Sequence, residues 1–144
     1  MQPQKFEQTH TVTPEEIDLM GHVNNKIYLG WMEQIAIAHA QAVGLTFDVQ
    51  QQHGKVLLAK QHVMNFTHPC FEGDDILLTS WIGEQVGCCQ RKRHYEFKRL
   101  ADQKVVFTGE TTWVCVDAKT HRPTKLPQNY IDAYLKTDSS GSTD

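Results

Sequence analysis

One stretch limits the architecture more than any other: EIDLMGHVNNKIYLGWMEQIAIAHAQAVG, Glu16 to Gly44, where a turn crowded with polar groups runs into the one long helical repeat of the chain. Ile27, Tyr28, Trp31, Met32, Ile35, His39, Ala42 and Val43 recur at three- and four-residue spacings, while Lys26, Glu33, Gln34 and Gln41 fall mainly off that face. The spacing predicts a helix with a broad buried side. Asn24 or Asn25 is suited to cap it, because a short amide side chain accepts from the free N–H groups of a first turn, and Gly44 is suited to stop it in a left-handed conformation. Asp18, His22, Asn24 and Asn25 stand just ahead of that helix start, where unpaired backbone donors and the helix dipole favour negative charge. This cluster is a candidate reaction site.

The flanking segments supply an α+β pattern. Phe6 to Val12 alternates, with Phe6, Gln8, His10 and Val12 on one side, and reads as an opening strand; Pro14, Glu15 and Glu16 break it. Beyond Gly44, a polar connection from Asp48 to Gly54 is expected to hold a short helical turn and part of a pocket wall. From Lys55 the periodicity becomes extended. Strands are expected at Val56 to Phe66, Asp75 to Ile82, Gly87 to Leu100 with a bulge near its basic cluster, and Lys104 to Asp117, in sequential meander order. Asn129 to Leu135 is expected to form a last helical turn. The expected organisation is one domain over residues 1–136, followed by a flexible tail over 137–144, where Ser, Gly and Asp supply no packed face.

The chain has 144 residues, 40% of them hydrophobic and 22% charged, which suits one core and leaves little for a second. Fourteen basic against seventeen acidic residues give a formal charge of -3, so the charge balance gives no reason to expect nucleic acid as a partner. Cys70, Cys88, Cys89 and Cys115 match neither a zinc spacing nor a secreted disulfide scaffold, and free, mostly buried thiols are expected. No apolar run approaches the roughly 20 residues that span a bilayer. These features lead to an expected cytoplasmic location with no membrane partner. Asp18, His22, His62 and His68 make no compact ligand set, so no metal or other cofactor is expected.

The chain resembles the acyl thioesterases of the hotdog fold, particularly the 4-hydroxybenzoyl-CoA thioesterase-like group and the bacterial and plant acyl-ACP thioesterases. The resemblance rests on Asp18-Leu19-Met20-Gly21-His22-Val23-Asn24-Asn25, continued by Tyr28-Leu29-Gly30-Trp31-Met32-Glu33. Pro69, Gly73-Asp74, the strand Trp113-Val114-Cys115-Val116-Asp117, Arg122-Pro123 and Pro127 support it. It implies a hotdog fold, a curled antiparallel sheet wrapped around one long central helix. It implies that Asp18 is the catalytic carboxylate, general base or nucleophile, and that the backbone N–H at Asn25 polarises the thioester carbonyl. His22 matches the last member of the Asp, Asn and His run of the plant enzymes. Met20 stands where that Asn would be, a departure from the plant pattern.

Thioester hydrolysis needs an attacking water or carboxylate, donors for the oxygen that becomes negative, and an exit for the thiol. Asp18 answers the first need, unless it only caps its turn. The helix start at Asn24 and Asn25 answers the second, and His22 serves there in positioning, substrate contact or proton transfer. Asn24, Tyr28, His62, Asn65 and His68 are further candidates for substrate contact, the last three on or beside the first strand after the helix. Arg91 and Arg93, with Lys119, Arg122 and Lys125, are candidates for coenzyme A phosphates or the acidic face of a carrier protein. A core role competes for Tyr28, Trp31, Trp81 and Trp113.

The expected activity is hydrolysis of an acyl-CoA to free acid and coenzyme A. An acyl-ACP thioesterase and a non-catalytic acyl-carrier binding protein are the alternatives. A lone curled sheet leaves edges exposed, so a homodimer is expected, or a tetramer of paired dimers.

Overall fold

The computed structural model describes residues 2–136. The polar turn and helix anticipated from the motif are both present. A 3-10 turn at Pro14–Glu16 leads into α1, Asn25–Ala42, whose N-cap is Asn24: its side chain accepts from the Lys26 N–H. The buried stripe of α1 is Tyr28, Trp31, Met32, Ile35, Ala36 and His39. Ala42, expected on that stripe, is exposed, because the helix ends there. Gly44 follows at φ +79°, the left-handed geometry that a glycine adopts without steric cost. A second helix, α2 at Phe47–His53, occupies the polar connection.

Five strands form one antiparallel sheet: β2 (Phe6–Thr11), β3 (Lys55–Phe66), β4 (Asp75–Val86), β5 (Gln90–Arg99) and β6 (Lys104–Asp117). A short pair, β1 (Gln2–Pro3) with β7 (Leu135–Lys136), and a small helix α3 (Gln128–Asp132) complete the elements. The sheet order is β2-β4-β5-β6-β3. The sequential meander anticipated from Val56 onward therefore holds only for β4 to β6. β3 crosses to the far edge and pairs with β6, because the Pro69–Asp74 segment is anchored beside α1 instead of folding back as a hairpin: Val23 N–H donates to Cys70 O and Gly73 N–H to Val12 O. β4 also runs four residues beyond its anticipated end. The anticipated bulge lies opposite the basic cluster, in β4 between Ile82 and Gln85.

Helix α1 lies against one face of the sheet. Alternation sends Ile76, Leu78, Ile82, Tyr95, Phe97 and Phe107 to that face, where they are buried. Within this core Trp31 meets Phe97 edge-on and Phe97 stacks on Phe107. Trp81 points to the other face, beneath Lys5 and beside His94, away from the helix side of the sheet. The cysteines divide into two kinds. Cys70 and Cys115 are free and buried, as expected, but Cys88 and Cys89 are joined by a disulfide at the tip of the β4–β5 hairpin, where adjacency brings their sulfurs together. The anticipated tail, 137–144, lies outside the described residues. No helix among the described residues is long and apolar enough to cross a membrane.

Candidate active site

Two backbone links shape the loop that carries Asp18. Ile17 and Val23 form an antiparallel bridge, and Asp18 N–H donates to His22 O at 2.9 Å, so Asp18 and His22 face each other across a turn of three residues. Gly21 N–H closes that turn on Asp18 O, and the Asp18 side chain accepts the Met20 N–H through Oδ1 at 2.8 Å. Gly21 sits at φ +86°, which a residue with a side chain would adopt only under strain. Oδ2 of Asp18 has no partner among the described residues.

Upstream, Glu16 holds the loop to the core. Its carboxylate accepts from Thr13 N–H at 2.9 Å, from Trp31 Nε1 at 2.9 Å and from His10 Nε2 at 2.9 Å. Burial alone would raise its pKa; hydrogen bonds from His10, Thr13 and Trp31 outweigh that and hold it below the usual carboxylate range. The Thr13-Pro14-Glu15-Glu16 spacing is the signature of a capped helical start, a signal that would have disclosed this anchor where the sequence reading saw only a strand break.

At the head of α1, Lys26 N–H is taken by Asn24 Oδ1 and Ile27 N–H by Asn24 O. The Asn25 N–H finds no acceptor among the described residues. It is a free donor at the positive end of an eighteen-residue helix. The Asn25 side chain itself is exposed. Around this helix start, Leu19, Met20, Phe66 and Phe71 are large apolar side chains left in solvent.

Tyr28, a candidate for substrate contact, is instead buried in the core, edge-on to Trp31 and Phe66 and stacked on Phe107. Burial raises its pKa. The candidates of β3 separate. His62 faces the helix side, where its Nδ1 lies 2.8 Å from Thr111 Oγ1, itself 3.0 Å from the Tyr95 hydroxyl. Asn65 lies on the opposite face, against Thr108. β3 ends at Phe66, so His68 does not continue the alternation; its ring rests on Val105 O at 3.2 Å. Thr111 and Tyr95 escaped sequence reasoning because only the β3–β6 crossover brings them to His62.

The arginines are not gathered at Asp18. The first turns of α1 meet Phe66, Phe97 and Phe107, whereas His39, near its other end, meets Phe6, Tyr134 and Arg93. Arg93 is therefore at the end of the domain remote from Asp18, and at 3% exposure it cannot serve as a surface contact for phosphates. Arg91 is half-buried, its Nε donating to Gly83 O at 2.9 Å. Arg122 is exposed on the turn after β6, which Asp117 N–H closes on Arg122 O.

Residues 12–133 match the thioesterase-like superfamily. The chain belongs to that family. Among curated relatives it is 25% identical, over 120 residues, to the chloroplastic acyl-acyl carrier protein thioesterase ATL3 of Arabidopsis thaliana, covering 83% of this chain and 62% of that protein. The chain thus spans somewhat under two thirds of the length of this curated relative. Among solved structures, Slr0204 of Synechocystis, a 1,4-dihydroxy-2-naphthoyl-CoA thioesterase, superposes with a TM-score of 0.82 at 19% identity, over 91% of this chain and 96% of that one. The hypothetical protein SAV2348 of Staphylococcus aureus, solved in complex with CoA, gives 0.83 at 18% identity, over 95% and 89%. At these identities the structures establish the fold, an antiparallel sheet with a central helix of the hotdog superfamily.

Proposed function

We propose that the protein hydrolyses an acyl-CoA thioester at Asp18. The observation that carries this reading is a pair of unspent groups within one motif: one carboxylate oxygen of Asp18 holds its own turn while the other has no partner among the described residues, and the first backbone N–H of α1 has no acceptor among them. The turn therefore fixes the carboxylate without consuming it. The thioester carbonyl oxygen accepts from the Asn25 N–H, and the helix dipole stabilises the charge that gathers there on attack. Asp18 takes the proton of the attacking water, the tetrahedral adduct collapses, and the thiol leaves with that proton. In the covalent variant, Asp18 attacks directly and water resolves the mixed anhydride. His22, facing Asp18 across the turn, positions the water or the thiol.

We further read the active form as a homodimer joined through β3. That strand is a sheet edge with Leu58, Val63 and Phe66 exposed along it, the kind of template that natural proteins keep covered. Antiparallel pairing of two copies of β3 about a two-fold axis sets the Phe66 end of one copy beside the Lys55 end of the other. Asp18 and Asn25 of one subunit then face Arg122 and its neighbouring lysines on the partner, a cationic surface suited to the phosphates of coenzyme A. The CoA complex of the SAV2348 relative supports this ligand class, and the name of the Arabidopsis relative supports acyl-ACP as the second reading.

The test is thiol release from a panel of aromatic, branched and straight-chain acyl-CoA and acyl-ACP thioesters, beside Asp18→Asn and Asp18→Ala. Turnover of an acyl-CoA that collapses in both variants is expected. Folded protein inert across the panel would sink the enzyme reading, and full turnover in both variants would sink the role of Asp18.

A further inference from the structure

The half of α1 remote from Asp18 covers a cavity of about 480 Å3. Small-molecule sites occupy roughly 300–1,000 Å3, so this volume suffices for a ligand of ordinary size. Its walls are mostly apolar, with Ala36, Ala40, Leu45, Ile82 and Leu126 among them. Into that wall is set Arg93. Its Nη1 donates to His39 Nδ1 at 3.0 Å and to Ser80 Oγ at 2.9 Å, and its Cζ lies over the Tyr134 ring at 5.3 Å. Nε is buried without a partner among the described residues.

No carboxylate among the described residues pairs with this guanidinium. Arginine can only donate, so His39 Nδ1 must accept and the ring is neutral, its pKa pushed down to about 3 by burial and by the Arg93 charge. Among the described residues, the one acidic residue lining the cavity is Asp48, exposed on α2. Trp113 adds a second donor: its Nε1 is buried with no acceptor, and the strand register sets it opposite Arg91. A wall of this kind has a surplus of donors and two guanidinium groups, Arg91 and Arg93, with no carboxylate partner among the described residues, an arrangement that is costly unless an anion completes it. A carboxylate is the anion whose two coplanar oxygens match a guanidinium edge, and the apolar remainder of the wall matches a hydrocarbon or aryl body.

We propose that this cavity binds the free carboxylate of an amphipathic organic acid, its head on Arg93 and Trp113 and its body along Ala36 and Ala40 of α1. The site is separate from the reaction centre of its own subunit. Ala40 stands fifteen residues beyond Asn25, roughly 22 Å at 1.5 Å per residue of helix. The assignment does not rest on the thioesterase reading. Two sources can present the same chemistry: a free monocarboxylic acid, or the far carboxylate of a dicarboxylic acyl group.

Isothermal titration with decanoate and 4-phenylbutyrate, against their methyl esters, tests the site. Both wild type and Asp18→Asn are expected to bind at least one acid ten-fold or more tighter than its ester. Arg93→Gln is expected to abolish that difference. Should Arg93→Gln not fold, Ala40→Trp, which fills the cavity from the partly exposed helix face and leaves the Arg93 hydrogen bonds intact, is expected to abolish acid binding. Equal binding of acid and ester, no binding of either, or acid binding unchanged in these variants overturns the proposal. In the same titration, ten-fold tighter binding of adipoyl-CoA than of hexanoyl-CoA, lost in Arg93→Gln, identifies the dicarboxylic source; tight acid binding without that difference identifies the free acid. Acid binding by a protein that turns over no thioester leaves this site standing and removes only the thioesterase reading.

Discussion

Glu16 and Asp18 sit two residues apart and divide the work of the motif. Glu16 spends its oxygens on structure, three donors from three segments, while Asp18 spends one oxygen and keeps the other. Asp18→Asn keeps an oxygen for the Met20 N–H, so it is expected to fold normally and to lose about 10²- to 10⁴-fold in kcat, the usual contribution of a positioned base. Unchanged denaturant midpoints alongside that loss are the check. Glu16→Ala strands the indole N–H of the buried Trp31 and is expected to cost about 2 kcal/mol in urea denaturation. His39 gives the protein a pH limit. Its folded pKa, pushed down to about 3, lies below the unfolded value, so the unfolded chain takes up a proton that the folded one refuses. Stability is complete above about pH 6.5 and is lost as pH falls from there toward 3, about 2 kcal/mol between pH 7 and 5 from this group alone. Denaturation at the two pH values checks it, and His39→Gln is expected to flatten the difference.

The elements explain what was legible beforehand. Helix α1 was readable in extent, cap and stop because local signals decide all three: a 3.6-residue stripe, an Asn at its head and a Gly past its end. The strands were readable as segments, but the partner of β3 was not, since the alternation of a strand says which face a residue takes and nothing about the neighbour on either side. The contact of His62 with Thr111 went unforeseen for this reason. Arg93 was a candidate for coenzyme A phosphates because Arg91-Lys92-Arg93 reads as a charge cluster, yet alternation on β5 sends Lys92 to an ion pair with Glu110 and Arg93 inward to His39. Tyr28 and Trp31 were readable as core from the helix stripe alone. The exposed edge of β3 carries its own prediction: Leu58→Asp with Val63→Asp is expected to leave the monomer folded and to prevent dimer formation in sedimentation velocity. A wild-type chain that sediments as a monomer would remove the dimer from the mechanism.

At the scale of the whole molecule, the two ends of α1 carry opposite chemistry. A carboxylate with a free backbone donor lies at one end, and a buried cation under an apolar roof lies at the other. The proposed pairing through β3 would bring unlike ends together across subunits, and this predicts complementation. Asp18→Asn and Arg122→Glu are each expected to be impaired on acyl-CoA. After subunit exchange, half the dimers are mixed and each has one intact composite site, so about a quarter of wild-type activity is expected to return. Activity that stays at the mean of the two variants would place the whole site within one subunit.

The crossover that sends β3 past three strands to reach β6 also governs how the chain reaches this structure. β4, β5 and β6 pair with their neighbours through short turns, whereas joining Lys55 to Asp117 and Phe66 to Phe107 must close a loop that contains β4 and β5. Loop-closure entropy puts that pairing late, after the hairpins have formed a surface to receive it. The edge offered to a second copy is then among the last segments to order. A chain released before β3 docks exposes the flank of β6 with no cover, and the concentration of partner chains helps determine whether that flank finds its own strand or another molecule's.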